Sequence, residues 1–199
     1  MMNNVITILF FFSLLIPGAS YCQHPNYENS INNYIHQYVQ AHEVVKGNDK
    51  KRLQFYPANK RFCVKATFKL TPDSEWFLMN TSGTVKKQYR VYGTITFVLN
   101  DTILHLNIYQ SKTLLTSAEY STYLFIPFTD KTTGFDTYGG GRYIDLRIED
   151  LKNDSFLLDF NKAYNPYCAY TTGYNCPIPP AENDLPVAIT AGEKNYGKH

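Results

Sequence analysis

Around Asn100 and Asp101 the polarity of the chain reads alike in both directions, which is the signature of a tight antiparallel hairpin. With those two residues as the turn, Phe97 faces Leu104, Ile95 faces Leu106 and Gly93 faces Ile108. On the opposite face Thr96 meets His105 and Thr94 meets Asn107. Side chains alternate across a strand with period two, so one face of this hairpin is buried and the other is polar, with His105 at the surface.

The same period runs through most of the chain. Phe62, Val64, Ala66, Phe68 and Leu70 alternate with Arg61, Cys63, Lys65, Thr67 and Lys69, which predicts a strand whose Cys63 looks outward or into a polar cavity. Further strands are predicted at Trp76 to Met79, Tyr123 to Phe128, Arg142 to Ile148, Phe156 to Phe160 and Val187 to Ala191. Only one segment has helical spacing: Ile31, Tyr34, Ile35, Tyr38, Val39 and His42 form a three-four stripe, with Asn29 or Ser30 as the cap. His42 ends that stripe and is read as a packed boundary residue. Strands without alternating helices predict a mainly β fold, an antiparallel β-sandwich or barrel-like domain with one N-terminal α-helix. The expected organisation is a signal peptide over 1–22, a helical lead over 23–50 and one β-rich domain over 51–196.

The chain has 199 residues, 44% of them hydrophobic, including 17 Tyr and 13 Phe, which is too apolar for a disordered chain. Its 19 Lys and Arg are balanced by 17 Asp and Glu, so nucleic acid is not an expected partner. Val5 to Ile16 is an apolar run of signal-peptide length, too short to span a bilayer, followed by Pro17, Gly18, Ala19 and Ser20. Export to the periplasm or the extracellular space is therefore expected, with cleavage after Ser20 or Cys22 and no integral membrane segment afterwards. Tyr21 and Ala19 spoil a lipobox at Cys22. In an oxidising compartment Cys168 and Cys176 are close enough in sequence to form a disulfide, whereas zinc lacks the ligands nearby. Cys63 is then left as a free thiol.

No Gly-x-Ser-x-Gly elbow, His-Glu-x-x-His helix or Walker loop is present. Two dense segments remain, Leu124 to Asp145 and Asp159 to Tyr170, the latter running on to Asn183. Phe128-Thr-Asp130, Thr137-Tyr-Gly-Gly-Gly-Arg-Tyr143, the Asp159 to Tyr170 run, Cys176-Pro-Ile-Pro-Pro180, Glu182-Asn183 and Ala191-Gly-Glu193 resemble a bacterial family known as domain of unknown function 1684. The resemblance extends from about Leu53 to Lys194 and implies a shared fold and site, without a reaction. Asp136 stands where Glu is common in that family.

Gly139, Gly140 and Gly141 free backbone N–H groups, and Arg142 adds a planar donor fork, a combination suited to a carboxylate or phosphate. Alternatively the glycines form a turn and Arg142 pairs with Asp159 or Asp145. The expected function is binding of a small anionic ligand, without metal or cofactor, in a polar pocket drawn from Asp130, Tyr138, Arg142, Tyr143, Asp159, Asn161, Tyr164 and Asn165. A hydrolase using Asp145, Asp159 or Glu182 as general base is the alternative, and a structural module of the cell envelope is a third.

Overall fold

The computed structural model describes residues 25–151 and 154–197. The signal peptide expected over 1–22, with Cys22, lies outside the described residues. Seven strands form a single antiparallel sheet: β1 (Cys63–Leu70), β2 (Phe77–Met79), β3 (Lys87–Leu99), β4 (Thr102–Ser111), β5 (Tyr123–Phe128), β6 (Arg142–Arg147) and β7 (Ser155–Asp159). Their order is β6-β5-β4-β3-β1-β7, with β2 paired to the start of β3, and the sheet curls into a half-barrel. Among the described residues one α-helix, α1 (Tyr27–Ala41), precedes the sheet.

The β3–β4 hairpin has the register expected from its polarity: Phe97 opposes Leu104, Ile95 opposes Leu106 and Gly93 opposes Ile108. Asn100 and Asp101 have φ of 53° and 59°, the left-handed pair that a two-residue turn of this twist requires. Thr96 and His105 are hydrogen-bonded at 2.9 Å, as are Thr94 and Asn107, on an outer face where His105 is exposed. Gly93 has a packing reason, because a Cβ there would lie 2.3 Å from the ring of Phe68.

The concave face holds the main core, in which Ile95, Phe97, Leu106 and Ile108 meet Leu124, Ile126, Phe128 and Phe160. Val187 to Ala191 joins this core without being a strand. Its backbone is satisfied differently. Ile189 N donates to Asp130, and the carbonyls of Ile189 and Ala191 accept from the guanidinium of Arg142, so an ion pair takes the place of a neighbouring strand.

Helix α1 begins earlier than the sequence predicts, with Asn29 and Ser30 inside it and no side-chain cap at Asn26. Its start is set by Tyr27, whose buried hydroxyl donates to Asp159 at 2.9 Å. Tyr27 and Ile31 cover Cys63, which is consequently buried and is also disulfide-bonded, not an outward-facing free thiol. Cys168 and Cys176 are joined to each other, with Cα atoms 6.3 Å apart. His42, just beyond the helix, is buried, and its Nδ1 accepts the Val45 N–H at 2.9 Å.

Candidate functional site

Strands β5 and β6 build the floor of a cleft. Their register sets Tyr123 opposite Arg147, Phe125 opposite Asp145 and Pro127 opposite Tyr143. Because Leu124, Ile126, Ile144 and Leu146 enter the core, the alternate residues Tyr123, Phe125, Tyr143 and Asp145 stand on the convex face. Tyr34 and Tyr38 of α1 form one wall. Another is the segment from Tyr164 to Pro177, closed on itself by the Cys168–Cys176 bridge, and Lys87 and Tyr89 of β3, Leu114, and Ala41 to Glu43 at the end of the helix also line the cleft. The cleft has a volume of about 520 Å³, within the range of small-molecule sites.

Asp145 is the polar centre of this surface. Its Oδ1 accepts the hydroxyl of Tyr123 at 2.7 Å and that of Tyr164 at 2.6 Å. The residue is exposed to the cleft, but the surrounding protein desolvates its carboxylate and raises its pKa, against the opposing effects of the two phenols and Arg147. Burial and the adjacent carboxylate hold both phenols well above the usual tyrosine range. Arg147 makes no ion pair with Asp145, since it donates to the carbonyl of Glu119 and lies 5.7 Å from the ring centre of Tyr123. Around Asp145 the rings form a continuous series. Phe125 is T-shaped to Tyr143 at 5.5 Å, Tyr143 to Tyr164 at 5.9 Å, and Tyr164 lies 6.0 Å from Tyr38.

A second acid lies behind this wall. Glu193 is fully buried and accepts from Tyr170 at 2.7 Å, from the backbone N–H of Asn165 at 2.8 Å and from Tyr38 at 3.3 Å. Burial pushes its pKa up to about 7, opposed by these hydrogen bonds. Tyr38 therefore joins the buried acid to the cleft.

The residues anticipated from the sequence separate into distinct groups. Tyr143, Asp145 and Tyr164 meet in the cleft, and Asn165 supports Glu193 beside it. Arg142 is enclosed in the interior and pairs with Asp130 at 2.8 Å, not with Asp159 or Asp145. Its terminal nitrogens also donate to the carbonyls of Ile189 at 2.9 Å, Glu193 at 3.3 Å and Ala191. Of the three glycines before it, Gly141 has φ of +81°, and a Cβ there would lie 2.6 Å from the Phe128 carbonyl oxygen, so it serves a close backbone approach. Tyr138 flanks that turn, accepting the Gly141 N–H at its carbonyl. Asp159 and Asn161 form a buried knot with Tyr27 beneath the start of α1. Glu182 sits on an exposed turn.

The sequence does not assign Tyr34, Tyr38, Lys87, Tyr123 or Phe125 to a site, and Glu193 stands out in it only within the Ala191-Gly-Glu193 string. Tyr34 and Tyr38 were visible as a one-turn pair in the helical stripe, and Tyr123 and Phe125 as the alternate face of a strand. Among the described residues no group of three or more His, Cys, Asp or Glu side chains is placed to hold a metal ion.

The family model for the protein of unknown function DUF1684 matches residues 49–194. The chain belongs to this family. A DUF1684 chain thus carries the cleft, since all of its lining from β3, β5, β6 and the 164–177 segment falls within the matched residues, with α1 supplied from outside them. The solution NMR structure of an uncharacterized protein from Haloarcula marismortui is similar, with 30% identity and a TM-score of 0.66, covering 87% of this chain and 97% of that one. No curated protein matches the chain.

Proposed function

We propose that this DUF1684 protein binds a small organic molecule in the cleft above β5 and β6, with Asp145 as its polar anchor. The observation that carries the reading is the placement of one water-accessible carboxylate at the centre of a concave aromatic surface. An anion held by Arg142 is less well supported, because that guanidinium is 1% exposed and committed to Asp130 and backbone carbonyls. Acid–base hydrolysis is also less well supported, because Asp145, Asp159 and Glu182 share no hydrogen-bond partner. Export fits this reading: the apolar run Val5 to Ile16 and the disulfide bonds at Cys63 and Cys168 both suit an oxidising compartment outside the cytoplasm.

Chemical-shift mapping during a fragment titration tests the assignment. Perturbations are expected at Tyr123, Phe125, Tyr143, Asp145 and the α1 residues Tyr34 and Tyr38. Fragments that shift only residues elsewhere would overturn it.

A further inference from the structure

Resting on that reading, we infer that the ligand class is a small organic ammonium compound, held with its cationic end against Asp145 and the surrounding rings. The argument begins with the donors. A cleft lined by so many tyrosines looks rich in O–H groups, yet most of these are already engaged within the protein. Tyr123 and Tyr164 donate to Asp145, Tyr143 to the carbonyl of Pro177, Tyr167 to Glu43, and Tyr38 lies against Glu193 and Tyr170. What these side chains still offer a ligand is ring faces and oxygen lone pairs, which are electron-rich.

Charge points the same way. Both phenols reach Oδ1 of Asp145, and among the described residues no hydrogen bond engages its Oδ2 and no Lys, Arg or His lies within salt-bridge distance of it. The carboxylates Asp145 and Glu43 outnumber the single ammonium of Lys87, which is exposed. His42 adds no charge at neutral pH, because burial lowers its pKa. Near-perpendicular ring pairs, 79° for Phe125 with Tyr143 and 85° for Tyr143 with Tyr164, turn faces in several directions about the acid. A cation with apolar substituents is drawn both to such faces and to a carboxylate that Arg147 acts on only from beyond ion-pair distance, whereas an anion meets repulsion and a sugar meets few free donors.

The test is calorimetric titration of the full chain with choline, with its uncharged isostere 3,3-dimethyl-1-butanol, and with glucose. Choline is expected to bind at least about tenfold more tightly than the isostere, and Asp145→Asn is expected to remove most of that difference. The comparison of choline with its isostere uses the unaltered protein, so it stands even if Asp145→Asn misfolds. Ala41→Trp, which adds bulk at the cleft without removing an anchoring group, separates the two claims. If the alcohol or glucose equals choline on the unaltered protein and loses binding in Ala41→Trp, the ammonium class is wrong and the cleft reading survives. Choline binding that is unchanged by Ala41→Trp overturns both. Absence of choline binding overturns the ammonium class.

Discussion

Arg142 and Asp130 form a salt bridge of 2.8 Å in which the two side chains are 1% and 0% exposed. The pair also anchors three carbonyl groups between Ile189 and Glu193, so it organises the C-terminal segment that a strand does not. Arg142→Lys keeps the charge but loses the planar fork, leaving buried acceptors poorly satisfied. The expected loss is about 2 to 4 kcal/mol in urea unfolding. A loss below about 1 kcal/mol would show that the guanidinium is not the organising element.

Glu193 makes stability depend on pH. Its folded pKa, about 7, lies above the ordinary value of 4.5, so the folded state holds the proton more tightly than the unfolded chain. The contribution is complete below the ordinary value and is lost as pH rises through 7, a fall of about 3 kcal/mol. Urea midpoints from pH 5 to pH 8 should therefore decline. Glu193→Gln, which is uncharged throughout, should flatten that decline, and an identical slope in the variant would refute the assignment.

The hairpin turn offers a gain in stability. Asp101 sits at φ of +59°, where a side chain is strained and glycine is not. Asp101→Gly should raise stability by up to about 1 kcal/mol, while Asp101→Val should lower it, as read from thermal unfolding.

This hairpin was legible because its pattern and its turn residues agree, and the same agreement predicted β5 residue for residue. The cleft was much less legible, for a physical reason. Period two shows that Tyr123, Phe125 and Asp145 share a face, but not what covers it, and tyrosine suits both solvent and interior. Cys63 illustrates the same gap, since alternation turned it away from the core and only the packing of α1 buried it. Val187 to Ala191 has the composition of a strand, and what overrides that composition is a long-range ion pair with no local signal. Arg142 drew attention through the three glycines before it, of which Gly141 serves a close backbone approach.

Opening the Cys168–Cys176 bridge should loosen one wall of the cleft. Paired substitution to serine is expected to lower stability by about 2.5 kcal/mol, from the entropy of the short loop it closes. Ring-proton line widths of Tyr167 and Tyr174, which pack at 5.2 Å, should change with it. Unaltered stability would mean the loop is held by its other contacts.

The most direct test of the cleft as the binding site is ligand-observed NMR of one fragment set against the wild type and Ala41→Trp. Ala41 is exposed at the end of α1 and lines the cleft, so tryptophan there should block the site and leave the fold intact. The account predicts fragments that compete with one another on the wild type and lose binding to Ala41→Trp while its unfolding temperature is preserved. Fragments that bind both proteins equally would contradict it.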